Sequence, residues 1–310
     1  KLIHENPEAE AVYKGKKLPY YRNLACYGDA FRYDARRFLK GDEGMLSAMA
    51  EHMRQNSSLE GVINHITDYR GFTLLDLVSY DRKHNEENGE DNRDGSDYNY
   101  SWNCGVEGSS RKRTILKMRL AQRKNALAML FLSQGTPLLL AGDEMGHSMQ
   151  GNNNAYCQDN KLNWLDWKLL DKDAELFTYT KELIHYRKVH PILHSRQTMQ
   201  IMDSLSCGYP DLSYHGEQAW YAHFENYYRH MAVLYCGMYE KKPDGTDDDF
   251  IYIIWNMHWE KHTFALPTLP QDYVWMVSLT TKEIPLQDMA DKTGKADKEA
   301  KPVSVEQTPA

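Results

Sequence analysis

Ionisable side chains recur in this chain at one kind of place, immediately after a short apolar run. Glu5 follows residues 1–3, Asp29 follows residues 23–27, Asp68 and Arg70 follow residues 61–67 (GVINHIT), and Asp143-Glu144 follow residues 138–141 (LLLA). Runs of that composition read as strands. In a parallel α/β sheet the loops leaving the carboxyl ends of the strands carry the chemistry. Carboxylates placed there can move protons or stabilise a developing positive charge. Asp68 and Arg70 stand two residues apart, so on an extended strand they face the same side. That spacing predicts either a structural ion pair or, if the strand bulges, an Asp68 presented to the site. An Arg70 pointing into the site would favour the ionised form of a neighbouring carboxyl, whereas a general acid needs the opposite shift.

Other chemistry-bearing residues form weaker patterns. Asp91, Asn92, Asp94 and Asp97 crowd one segment, but their spacing fits no EF-hand loop, and a solvated acidic loop is the expectation. His84, His147 and His185 have no partners at ligand spacing and read as structural, so no metal and no cofactor is expected. The 21 Tyr and 7 Trp offer apolar faces with polar edges, suited equally to packing and to sugar binding.

A net charge of −7 argues against nucleic acid as a partner, since that requires a basic surface. The basic residues Arg111, Lys112, Arg113, Lys117, Arg119, Arg123 and Lys124 fall in a helical stretch and read as a solvated face. Five widely spaced cysteines match no disulfide or zinc pattern; reduced thiols in a cytoplasmic protein are the expectation. No apolar run reaches membrane-spanning length, and no membrane partner is expected. The sequence opens on Lys1 rather than Met, so the lack of a signal peptide carries no conclusion.

The elements that must position these residues alternate in type. Strands are predicted at residues 1–3, 23–27, 61–67 and 138–141, the last apolar enough to be buried on both faces. Helices are predicted at 29–39, 111–133 and 173–189, the second with Leu116, Leu120, Leu127, Leu130 and Phe131 on its apolar side. Alternation of this kind implies βα units and a parallel sheet over residues 1–193. After His194 the texture changes to short strands at 220–226, 230–239, 250–257, 262–266 and 273–279, which predict an antiparallel sandwich over 194–285. Residues 286–310, poor in large apolar side chains, read as a flexible tail.

Several long motifs then carry a resemblance. Residues 138–146 (LLLAGDEMG), 151–160 (GNNNAYCQDN), 163–167 (NWLDW), 84–95 (HNEENGEDNRDG) and 99–102 (NYSW) closely resemble glycogen-debranching and isoamylase-type members of the α-amylase superfamily. The resemblance covers roughly residues 1–280 and implies the second half of a TIM (β/α)8 barrel, strands five to eight, followed by a β-sandwich. It implies a retaining glycosidase acting on α-1,6 branches of glycogen or a related α-glucan. Such a mechanism uses an Asp nucleophile and a Glu acid/base about 5–5.5 Å apart, with a further Asp as stabiliser. By resemblance Glu5 is the general acid/base, and Tyr69, Asp143, Glu144, Asn154 and Tyr156 shape or line the substrate site; loop capping is the alternative for Asp143-Glu144. The nucleophile has no counterpart in this chain, and the front half of the barrel, or self-association, is the partner implied.

One position departs from the family. Between Ile63-Asn64 and Gly71-Phe72-Thr73-Leu74, where the family carries His-Asp, this sequence has Tyr69-Arg70. The expectation is a site inactive as given, unless a bulge presents Asp68 as a substitute stabiliser. The alternative to a debranching enzyme is a degenerate protein that binds α-glucan or partners an active subunit.

Overall fold

The computed structural model describes residues 2–4, 24–56, 61–281 and 303–305. A parallel sheet runs in the order β1 (Leu2–His4), β2 (Leu24–Tyr27), β3 (Gly61–Asn64) and β4 (Thr136–Pro137). The 138–141 segment does not join this ladder as expected. The paired stretch lies just before it, and Leu138 N donates to Asn64 O at 2.8 Å. Because β4 is an edge of the described sheet, Leu138, Leu139 and Leu140 are half-buried rather than covered on both faces.

Helices cover the sheet. α1 (Asp29–Lys40) buries Phe31, Ala35, Phe38 and Leu39, the i, i+4, i+7, i+8 stripe of an amphipathic helix. Asp29 in its first turn and Arg37 and Lys40 in its last complement the helix dipole. It ends at Gly41, whose φ of 81° is left-handed and whose absent Cβ leaves room for Met257 O. α2 (Leu46–Arg54) and the short α3 (Leu74–Leu77) were not foreseen from the sequence. α4 (Arg113–Leu132) and α6 (Ala174–Val189), the latter preceded by the short α5 (Leu169–Lys172), fall where the periodicity placed them.

Of the basic residues expected on a solvated face, Arg111, Lys112, Arg113 and Lys117 are exposed, but three are not, and Leu116 of the expected apolar side is exposed. Arg119, Arg123 and Lys124 are buried. Arg119 donates to the carbonyls of Gly108 at 2.7 Å, Asn103 at 3.0 Å and Val106. Arg123 pairs with Asp173, and Lys124 with Glu175 at 2.6 Å. Those partners lie in remote segments that helical periodicity cannot reveal. Arg187 of α6 works the same way, donating to the carbonyls of Phe131 and Ser133, both at 2.7 Å, and of Gly135.

A second, antiparallel sheet has the order β5 (Leu212–His215), β6 (His230–Tyr235), β7 (Ile251–Asn256). β8 (His262–Phe264) pairs with β9 (Val303–Val305), so three residues of the expected tail form a strand, consistent with their Val-Ser-Val alternation. Residues 220–226 are not a strand. Trp220 sits at φ 68° and Gly216 N bonds Tyr221 O at 2.6 Å, closing a tight loop instead. Residues 273–279 join no ladder either. Their alternation serves to lay Tyr273 on Phe250 and Trp275 on Tyr252, while Val274 and Met276 are exposed.

One core runs under both sheets. Phe31, Phe38, Met49, Leu127, Leu130 and Leu183 are continuous with Leu212, Met231, Val233, Tyr235, Ile253 and Trp255. The Tyr235 hydroxyl donates to Met53 O at 2.6 Å, and Arg229 Nε to Gly41 O at 2.7 Å. Among the described residues no helix is long and apolar enough to cross a membrane.

Arg187 satisfies three backbone carbonyls at the end of α4 and the start of β4. Arg187→Met should strand them and cost about 3 kcal/mol or more. The check is the urea midpoint of wild type against variant; an unchanged midpoint would show that water replaces the guanidinium.

Candidate active site

The carboxyl ends of β2 and β3 converge because Gly28 N donates to Ile63 O at 2.7 Å, and a Cβ at Gly28 would stand 3.0 Å from Asn64 Oδ1. Asn64 in turn donates to Gln134 O at 2.7 Å, drawing in the segment before β4. Beyond β3 the chain forms an arch, residues 65–73. Asp143 holds both feet, accepting from the Thr67 hydroxyl and from Leu74 N at 2.8 Å. Arg36 of α1 fixes the residue before the first foot, donating to Ile66 O at 2.8 Å, and ties it to Asn99 O at 3.0 Å.

The arch presents an ionic cluster. Arg70 Nη2 lies 2.7 Å and Nε 3.0 Å from Asp68 Oδ2, while Arg70 N donates to Asp68 Oδ1 at 2.9 Å. Asp68 is also 3.2 Å from Arg32 Nη1, and its side chain is only 3% exposed. Arg70 reaches Asp29 Oδ1 at 3.5 Å as well. His65 Nε2 lies 3.4 Å from Asp68 and 3.6 Å from Asp29. Burial alone would raise the Asp68 carboxyl; the contacts with His65 and Arg70 and the Arg32 charge outweigh it and hold it well below the usual carboxylate range. The Arg70 guanidinium also stands 5.5 Å from the ring centre of Tyr69, which is exposed, and 6.0 Å from that of Tyr27.

The ion pair of Asp68 with Arg70 is the one the spacing allowed, but its geometry differs. β3 ends at Asn64, so the pair forms across an Asx turn rather than along an extended strand. Arg32 and His65 belong to the cluster and were not identified from the sequence. The available signal was the i, i+4 placement of Arg32 and Arg36 one turn beyond Asp29. Glu5 lies outside the described residues. Asp143 is buried and Glu144 accepts from Gly142 N at 2.9 Å, so both brace loops, the capping alternative raised above.

Asn154 and Tyr156 belong to a second assembly, where the two longest motifs interlock. Asn85 and Asn153 exchange hydrogen bonds at 2.9 Å, and Asn153 donates to Asn99 at 2.9 Å. Asp94 accepts from Asn88 at 2.7 Å and Asn154 at 2.9 Å. The Tyr156 hydroxyl donates to Glu90 at 3.1 Å at the surface. Nearby, a groove of about 400 Å3 opens along Tyr98, Tyr100 and Trp102, with Lys40, Asp81 and Asp97 at its edge.

The fold is that of pullulanase structures. The D470A mutant of the pullulanase from Paenibacillus barengoltzii, complexed with maltotetraose, matches with a TM-score of 0.57 at 18% identity, over 92% of this chain and 38% of that one. The pullulanase from Bacillus acidopullulyticus matches with a TM-score of 0.55 at 18% identity, over 79% and 26%. In sequence, the chain is 52% identical over 183 residues to the glycogen debranching enzyme of Serratia proteamaculans, covering 56% of this chain and 27% of that protein. It is 44% identical over 175 residues to the glycogen operon protein GlgX homolog of Mycobacterium tuberculosis, covering 54% and 24%. Over the matched stretch this chain is similar to proteins named as glycogen debranching enzymes. It spans about a quarter of the length of these curated relatives. No family model matches.

Asp143 generates a pH prediction. Burial pushes its carboxyl up to about 7, against the hydrogen bonds from Leu74 and Thr67. The folded chain therefore keeps this proton where the unfolded chain, with an ordinary value of about 4, has lost it. The stability it contributes is full below about pH 4 and is lost as pH rises towards 7. Asp143→Asn should remove that drift. The stability of wild type minus variant should fall by about 1.4 kcal/mol per pH unit between pH 5 and 7. Urea titrations at pH 5, 6 and 7 read this out; a difference independent of pH would contradict the raised value.

Proposed function

We propose that this chain supplies strands five to eight of a (β/α)8 barrel together with a β-sandwich, and that its strand-end site holds α-glucan while hydrolysing it weakly or not at all. The observation that carries the reading is the Asp68–Arg70 pair. Where the family has a stabilising carboxylate, the site offers a guanidinium locked to Asp68 at 2.7 Å. That cation opposes the positive charge of an oxocarbenium-like transition state. It would also favour ionised Glu5, the acid/base by resemblance, when a general acid must keep its proton. Asp68 is a poor substitute stabiliser, because its charge is neutralised by Arg70 and Arg32.

Glucan affinity is a separate matter. Exposed Tyr69 and Tyr98 and the groove along Tyr100 and Trp102 offer ring faces of the kind sugars stack on. The relatives named as debranching enzymes support α-1,6 linkages in glycogen as the substrate class. They also favour the second reading, an active debranching enzyme.

Two measurements test this. In the intact protein, Tyr69→His with Arg70→Asp should raise reducing-sugar release from glycogen by about 10²–10³-fold, the usual worth of one preorganised charge-stabilising group. Maltooligosaccharide affinity, read by calorimetry, should not rise, because the Tyr69 ring face is lost, so the gain belongs to turnover and not to binding. Wild-type turnover equal to an ordinary debranching enzyme would overturn the reading. The second concerns the sheet edges β1 and β4, which invite pairing with the front half of a barrel or another copy. The chain alone should sediment as a dimer or larger species; a monodisperse monomer would count against it.

A further inference from the structure

His230 opens β6, and its Nδ1 is buried with no hydrogen-bond partner among the described residues. The residue itself is 5% exposed. His262 opens β8 and stacks on it, ring centres 3.8 Å apart. His262 Nδ1 lies 2.9 Å from Glu217 Oε1, on the turn after β5, while its Nε2 is also buried without a partner. A carboxylate can only accept here, so Nδ1 carries a proton, and the neutral form of the ring offers Nε2 as the donor atom for a metal. One donor atom from each of Glu217, His230 and His262 lies within 4.8 Å of the others.

We infer that Glu217, His230 and His262 form a binding site for one divalent transition-metal ion, with zinc the best fit. Two imidazoles and a carboxylate suit zinc and its late first-row neighbours, whereas magnesium and calcium take oxygen ligands. Metal–ligand bonds of about 2.0–2.2 Å put tetrahedral ligands roughly 3.3 Å apart, within side-chain reach of the present spacing. Two buried, unpartnered imidazole nitrogens are costly in an apo protein; the rings stack 27° from parallel, so one ring turns to bring both in-plane lone pairs onto a cation, which removes that cost. Glu217 serves as a ligand, or as the carboxylate that orients His262.

His262 also belongs to a second such group, with His258 and Glu260, so the turn that carries them is where a fourth ligand would be sought. The turn carrying them is preformed, with Asn256 Nδ2 donating to Glu260 O and His258 N to Asn256 Oδ1, both at 2.9 Å. Because His258 Nδ1 accepts from Glu260 N at 3.0 Å, the exposed Glu260 carboxylate is the better candidate. A bound ion would staple β6, β8 and the turn after β5, so its role is structural, on elements separate from those bearing Arg70.

The test uses the full chain without an affinity tag, stripped with chelator and titrated with Co2+ and then Zn2+. One Co2+ per chain should give tetrahedral d–d absorption that Zn2+ displaces, and Zn2+ should raise the melting temperature. Glu217→Gln should weaken binding by about 10–100-fold, and His262→Gln should abolish the cobalt spectrum. No stoichiometric uptake by wild type, or unchanged affinity in Glu217→Gln, would overturn the site. Glu217 is exposed, so that variant decides the question even if His262→Gln fails to fold.

Discussion

A single buried carboxylate sets the shape of the strand-end site. Asp143, in the loop after β4, accepts hydrogen bonds from Thr67 and Leu74, the two feet of the arch that carries Asp68, Tyr69 and Arg70. A backbone arch leaving a short strand has unsatisfied amides and many conformations. Fixing its feet to one side chain, and the residue before the first foot to Arg36, leaves little choice for what lies between. The Asx turn at Asp68 follows, and with it the position of the Arg70 guanidinium.

The cluster is consequently closed on itself. Two carboxylates, Asp29 and Asp68, face two guanidiniums, Arg32 and Arg70, with His65 between them. Balanced charge of this kind in a half-buried place is rigid and costly to separate. It differs from the arrangement expected of a glycosidase, in which carboxylates of unlike pKa confront a bond to be broken.

Much of this was legible in the sequence, for identifiable reasons. The helix at residues 29–40 declared itself through the spacing of Phe31, Ala35 and Phe38, and the Asp68–Arg70 pair through a separation of two. Arg119, Arg123 and Arg187 were illegible as buried residues, because the carbonyls and acids that satisfy them come from segments far along the chain. The LLLA segment was misplaced because continuous apolarity marks burial, not hydrogen-bond register. Residues 273–279 alternated like a strand while packing as a cover, since period two reports which faces are wet and not whether a ladder exists. The Asn-rich motifs were recognisable as a signature, yet their work is to bind two loops to each other through amides.

The junction near residue 194 has a consequence for how this architecture can be recombined. Composition suggested a boundary there, but Ile192 and Leu193 are buried, Ile192 N donates to Asp248 at 2.9 Å, and Gln134 donates to Ile192 O at 2.8 Å. The seam is a welded joint rather than a hinge. A crossover that exchanged the C-terminal sheet between two relatives would have to carry compatible partners for Met53, Gly41 and Ile192 with it. The portable unit is therefore the sheet together with the helix ends on which it rests.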